Sequence, residues 1–217
     1  MATAAPVKKS RTIYKLADGT TVPGVTTVLN VLNKPFLVTW ANNLGLQGIN
    51  SREYVDELAQ VGTLTHLMVE CDIKGVEPDT HAFTQLQIEQ ARPCFVKWLA
   101  WRAGKEIVPI LQESPLVSEE FRFGGTVDIH AAVDGVCTLI DIKTAKAVYS
   151  EQVAQVIAYQ RLLEEHHFAV QRACIVRIGR NEAEAFEVRE ITDTNRSYWN
   201  LFLAALDIYR IQKEVKW

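Results

Sequence analysis

Long apolar runs are missing from this 217-residue chain: none approaches the roughly 18 consecutive apolar positions of a membrane-crossing helix, which excludes a helical membrane protein. The opening MATAAPVKKSR has no apolar core of the length a secretion signal needs, so residues 1–10 read as a frayed tail and the protein as not secreted. Cysteine is scarce and scattered, at Cys71, Cys94, Cys137 and Cys174. No two lie within a few residues of each other, as ligands of zinc or iron–sulfur sites usually do. The four read as reduced, mostly buried thiols. An excess of either charge is also missing, with Lys+Arg 23 against Asp+Glu 26 and a net charge of −3. A static, tight nucleic-acid binder usually carries a strong basic excess. An enzyme that holds nucleic acid briefly and gathers carboxylates around metal ions needs none. No internal repeat or low-complexity tract is present.

The patterning changes once along the chain. Residues 11–22 predict a short hairpin with Asp18-Gly19 at its turn. Helices are predicted over 25–32, 36–46 and 51–72, with Ser51 as a cap and a break near Gly62, and over 80–102, with Pro93 introducing a kink. The period then becomes two, predicting strands over 106–112, 117–123, 126–133 and 136–144. A helix over 150–165, strands over 172–178 and 185–190, and a helix from 193 or 194 to 213 follow. This order predicts an α+β or mixed α/β fold, a central mixed β-sheet flanked by helices with an N-terminal helical cover. The expected organisation is a tail over 1–10, a hairpin and helical part over 11–104 and a core sheet over 105–217, the last two forming one compact unit.

The segment 124–146, GGTVDIHAAVDGVCTLIDIKTAK, carries the most chemistry. Asp134-Gly135 is a strong two-residue hairpin signal. A tight turn sets Val133 across from Val136, and the same register sets Asp128 across from Asp141. Such pairs have Cβ atoms roughly 4.5–5.5 Å apart, and like charges there are destabilising unless neutralised, as a divalent cation would do. Lys143 shares the face of Asp141, while Ile140 and Ile142 point the other way. A solvated sheet face, a shared proton or a simple Lys–Asp pair would also settle the repulsion. A three-residue turn with a bulge would remove the opposition altogether.

Four motifs in order resemble those of the PD-(D/E)xK nuclease superfamily, in its RecB-like exonuclease branch. Gly62-Thr63-Leu64-Thr65-His66 is similar to that branch's G-x-x-x-H helix, and Gly125-Thr126-Val127-Asp128 to its G-x-x-D strand. Asp141-Ile142-Lys143-Thr144 is similar to its D-x-K-T strand, and Gln155-Val156-Ile157-Ala158-Tyr159 to its Q-x-x-x-Y helix. Val22-Pro23-Gly24-Val25-Thr26-Thr27-Val28-Leu29, with Trp40, also resembles phage exonucleases and the mitochondrial genome-maintenance exonuclease. Some relatives carry a four-cysteine iron–sulfur cluster with three cysteines after Q-x-x-x-Y; only Cys174 follows it here, so no cluster is expected.

The resemblance implies a restriction-endonuclease-like core and a metal-dependent deoxyribonuclease, an exonuclease on single-stranded DNA ends leaving 5′-phosphate and 3′-hydroxyl products. It implies a role in DNA repair or recombination in the cytoplasm of a bacterial or phage-infected cell. His66, Asp128, Asp141 and the Ile142 carbonyl would ligate Mg²⁺ or Mn²⁺, and Lys143 would orient or activate the attacking water. Gln155 and Tyr159 would brace the site or touch DNA. Glu113 is a further candidate ligand and Lys146 a further candidate DNA contact. Oxygen ligands suit Mg²⁺, and the histidine suits Mn²⁺ somewhat better. The alternatives are a non-catalytic DNA-end-binding or recombination-partner module on the same fold, and a structure-specific endonuclease. Taken singly, His66 and Glu70 read as an i,i+4 helix pair, His130 as a sheet-face residue, and Trp98, Trp101 and Trp199 as core packing.

Overall fold

The structure, a computed structural model, describes residues 12–180, 184–194 and 196–215. The expected tail over 1–10 lies outside them. The chain is a mixed α/β fold with N-terminal helices, a central five-stranded mixed sheet and flanking helices. A small hairpin, β1 (Tyr14–Lys15) and β2 (Thr21–Val22), turns at Asp18, whose Oδ1 accepts the Thr20 N–H at 2.8 Å. The helices α1 (Val25–Leu29), α2 (Pro35–Leu46), α3 (Ser51–Lys74) and α4 (Gln85–Arg102) follow. The sheet has the order β3 (Ile107–Ser118), β4 (Phe123–Val133), β5 (Val136–Lys143), β6 (Arg172–Arg177), β7 (Glu187–Glu190). Helix α5 (Ser150–Glu165) links the parallel strands β5 and β6, the other neighbours are antiparallel, and α6 (Ser197–Glu214) closes the chain.

Strand alternation divides the core into two apolar layers. Leu139 and Ile175 pack with Val156, Leu162 and Phe202 of α5 and α6, while Ile140, Ile142 and Val176 pack with Val69, Cys94 and Trp98 of α3 and α4. Each fully buried aliphatic side chain contributes about 1.5–3 kcal/mol. Trp98 and Trp199 are buried and Trp101 packs beside Trp98, in keeping with core roles.

Several element boundaries differ from the sequence expectation for local reasons. Helix α3 runs unbroken through Gly62, because a Cβ there would stand 2.9 Å from Thr144 Oγ1 and the bare backbone lets the helix pack against the end of β5. Its cap is Asn50, not Ser51: the Asn50 side chain accepts the Arg52 and Glu53 N–H groups at 3.0 and 3.4 Å. Helix α4 starts at Gln85, where Thr84 and Gln87 exchange a capping box, and continues through Pro93. The expected strand over 117–123 is instead the end of β3 and a turn, in which the Ser118 carbonyl accepts the Arg122 N–H at 2.9 Å. Helix α6 begins at Ser197; the Asp193 carboxylate caps it from upstream by accepting the Tyr198 and Trp199 N–H groups at 3.1 and 2.9 Å.

Candidate active site

The turn at Asp134 and Gly135 has positive φ at both residues, 51° and 80°, as a type I′ turn requires, and it fixes the register of β4 on β5. Pairing runs from Val133↔Val136 to Ile129↔Ile140. The next step places Asp128 opposite Asp141, and there the ladder opens. The Ile142 N–H donates to Asp128 Oδ2 at 3.0 Å instead of to a strand carbonyl. On its other side Asp128 faces Glu113, which is skipped between the pairs Gln112↔Ile129 and Ser114↔Val127. Glu113 lies inside β3 with φ 44°, a left-handed conformation that costs a non-glycine residue about 1–3 kcal/mol and often marks functional sites. Val127 joins the α5-side core and Ile129 the α3-side core, so β4 changes facing at Asp128. Interrupted pairing on both flanks exposes a carboxylate inside a five-stranded sheet.

Helix α3 brings His66 to this gap, one turn beyond the close packing at Gly62. His66 Nδ1 lies 3.6 Å from Asp128 Oδ2 and 3.8 Å from Glu113 Oε1, and all three side chains are partly exposed. One ligand atom from each falls within 4.8 Å of the others, the sole such group among the described residues. Ligands sharing one Mg²⁺ at about 2.1 Å stand roughly 3–4 Å apart, so the observed separations suit a single cation. The Ile142 carbonyl faces the same gap: the Lys143 carbonyl turns to β6, accepting the Ile178 N–H at 2.8 Å, so that of Ile142 points back towards β4.

Asp141 stands beside this group. It is fully buried, with Lys143 Nζ 2.6 Å from Oδ2 and the Gln155 side-chain amide donating to Oδ1 at 3.4 Å. The Lys143 ammonium meets Oδ2 at charge-assisted contact distance, so this buried oxygen is compensated within the protein. Burial pushes the Asp141 carboxyl up to about 6; Lys143 opposes the shift and Asp128 adds to it. Burial alone would pull the Lys143 ammonium down, but Asp141 and Asp128 outweigh it and hold its pKa above the ordinary value. His66, Glu113 and Asp128 together form a nitrogen-and-carboxylate donor set that fits a divalent cation, while Asp141, paired with Lys143, is not part of that group.

The Q-x-x-x-Y residues lie behind the carboxylates. Gln155 Nε2 donates to Tyr159 Oη at 2.8 Å, and Tyr159 packs on Gly125, where a Cβ would meet its ring at 2.6 Å. Burial, with Asp128 and Asp141 nearby, holds the Tyr159 phenol well above its usual pKa and therefore neutral. Both side chains are buried, which suits bracing rather than contact with DNA. The Val22–Leu29 stretch is stitched to the start of β4: Gly124 N–H donates to the Pro23 carbonyl at 2.9 Å, and Tyr14 Oη meets Thr126 Oγ1 at 2.8 Å. Lys146 is exposed just beyond Lys143. His130 is buried against Phe168 with Nε2 2.9 Å from the Ala169 carbonyl, a sheet-face residue apart from the site. Sequence reasoning missed the left-handed backbone at Glu113 and the Gly62–Thr144 contact; a glycine in the middle of an otherwise regular helical pattern was the available signal for the second.

Metal-free stability follows from this burial. Between its ordinary 3.8 and the native value of about 6, the folded chain binds a proton at Asp141 that the unfolded chain lacks. The Asp141 contribution is thus fully present below pH 4 and is lost as pH rises to 6. Asp141→Asn, which mimics the protonated form but leaves the Lys143 ammonium facing only Asp128, is expected to lose this pH dependence, so that its stability relative to wild type rises between pH 4 and pH 7.5. Urea unfolding with chelator at pH 4 and 7.5 measures this; a variant no more stable at pH 7.5 than at pH 4, relative to wild type, contradicts it.

No protein-family profile and no curated protein matches the chain. Among solved structures, the chain is similar to one from Eubacterium rectale described as a "Putative exonuclease", with 12% sequence identity and a TM-score of 0.49. The match covers 72% of this chain and 65% of that one, so this chain spans less than two thirds of its length. No helix among the described residues is long and apolar enough to cross a membrane.

Proposed function

We propose that the chain is a Mg²⁺- or Mn²⁺-dependent deoxyribonuclease that hydrolyses phosphodiester bonds in single-stranded DNA from a free end. The observation that carries this reading is the His66–Asp128–Glu113 cluster beside the buried Asp141–Lys143 pair, all in one gap of the sheet. His66, Asp128, Asp141 and the Ile142 carbonyl, with Glu113, would hold the cation. When bound, a divalent cation lowers the pKa of a coordinated water and offsets charge growing on a phosphoryl oxygen. Lys143 keeps its proton and directs N–H donors at the water or the phosphoryl oxygen. Gln155 fixes Asp141, and Tyr159 fixes Gln155. A non-catalytic end-binding module would need neither the ammonium nor a buried acid held beside it.

The preference for an end rests on the helical segment before the sheet. Helix α3 delivers His66, and α2 reaches the residue that precedes α5, Phe36 stacking on Tyr149 at 5.8 Å between ring centres. We propose that these helices, acting as one unit with the sheet, narrow the approach to a single strand. A duplex is bulkier and wants a broad basic cleft, which a chain of net charge −3 gives no reason to expect. End-labelled linear single-stranded DNA with Mn²⁺ should be shortened progressively, while closed circles of the same sequence survive at least about ten times longer. Equal rates on the two would reject the threaded passage and favour an open endonuclease cleft.

A further inference from the structure

Beyond Lys143 the chain leaves the sheet, and three consecutive carbonyls lose their strand partners. Two arginines take them up. Arg177 Nη1 donates to the Ala145 and Lys146 carbonyls at 3.3 and 3.2 Å, while its Nε donates to Glu187 Oε2 at 3.0 Å. Arg180 Nε donates to the Thr144 carbonyl at 3.0 Å, and its backbone N–H is held by Glu184 Oε2 at 2.8 Å. Lys97 of α4 donates to the Gly179 and Glu184 carbonyls at 3.1 and 2.8 Å. The clamped residue Thr144 is also the one whose hydroxyl meets Gly62 on α3. One backbone unit therefore sets both Lys143, which precedes Thr144, and His66, one helical turn from Gly62.

We infer that Arg177 and Arg180 are positioning residues that clamp residues 144–146 and thereby fix Lys143 and His66 relative to each other. Arg177 and Lys143 are register partners on β6 and β5 and share a face, so an arginine here could instead be a phosphate contact. Its burial argues otherwise: the side chain is 8% exposed and its guanidinium is engaged by Glu187 and two carbonyls. Guanidinium geometry matters, because a planar fork bridges an anion and two carbonyls at fixed angles, whereas an ammonium is a compact point charge. The clamp deepens the nuclease reading and rests on it for its catalytic consequence, but not for its structural one.

Two variants test it. Arg177→Lys keeps the charge and loses the fork; Arg180→Ala removes a half-buried side chain and leaves the strands intact. Hydrogen exchange on the metal-free full chain should show the Ile178 amide, which donates to the Lys143 carbonyl just before the clamp, losing protection at least tenfold in both, with β4 unchanged. Single-turnover cleavage of a labelled single strand should fall at least tenfold at saturating Mn²⁺ and DNA, while the KM for DNA and Mn²⁺ affinity by calorimetry change less than threefold. A raised KM with an unchanged maximal rate would make these arginines phosphate contacts and overturn the inference. Unchanged exchange at Ile178 would overturn it as well. Failure of wild type to cleave any DNA would remove the nuclease reading, and the exchange measurement would still decide the clamp.

Discussion

Lys143→Met should slow cleavage of a single-stranded oligonucleotide by about 10²–10⁴-fold in single turnover, the range spanned by removal of a positioned proton-transfer group. The ammonium is largely buried, is held protonated by Asp141 and Asp128, and sits 2.6 Å from Asp141 Oδ2. It cannot ligate a cation while protonated. Removing it takes away a positive charge beside the proposed metal position, so Mn²⁺ affinity should hold or tighten. Truncating one partner of a buried pair costs about 3–5 kcal/mol when the other stays charged. The metal-free variant is therefore expected to be less stable at pH 8, with stability recovered as Mn²⁺ is added. Calorimetry and single-turnover kinetics separate the two effects. Unchanged cleavage in a folded Lys143→Met protein would make the lysine a structural counter-ion only.

Asp128→Asn should remove activity to background and weaken Mn²⁺ binding by more than about 100-fold, since even an outer partner of a metal ligand is worth about 10–100-fold. Asn keeps an oxygen acceptor for the Ile142 N–H, so the opening of the ladder is preserved and the change is chiefly one of charge. The Asp128 carboxylate is the element shared by every part of the arrangement: it receives the Ile142 amide, faces His66 and Glu113, and stands opposite Asp141. Retained Mn²⁺ affinity in this variant would show that the cation is held elsewhere. Thermal unfolding should be shifted upward by Mn²⁺ in wild type and not in Asp128→Asn, because only a ligand that binds the folded state stabilises it.

The parts of this site that were legible in the sequence are those set by local rules. Asp134-Gly135 dictates a two-residue turn, that turn dictates the register, and the register brings Asp128 across from Asp141. The alternation of Ile140 and Ile142 against Asp141 and Lys143 follows from strand geometry alone. The illegible parts depend on contacts between distant segments. Nothing in Gln112-Glu113-Ser114 announces a left-handed residue; it arises where pairing to β4 is interrupted opposite Asp128. Gly62 predicts a helix break by propensity, yet Thr144 makes it a packing site, and packing overrides a penalty of about 1 kcal/mol. Arg177 and Arg180 belong to a strand end and a loop, and only the fold aims them at carbonyls more than thirty positions back in the chain.

The nuclease reading meets its most direct test in a paired titration. A 5′-labelled linear single strand is incubated with wild type and with Asp128→Asn while Mn²⁺ is raised from excess chelator to saturation. The expected result is shortening of the strand by wild type that rises with Mn²⁺ occupancy measured by calorimetry, with neither binding nor cleavage in the variant. Cleavage by wild type in excess chelator, or equal cleavage by the two proteins at saturating Mn²⁺, would contradict a metal-dependent nuclease centred on Asp128.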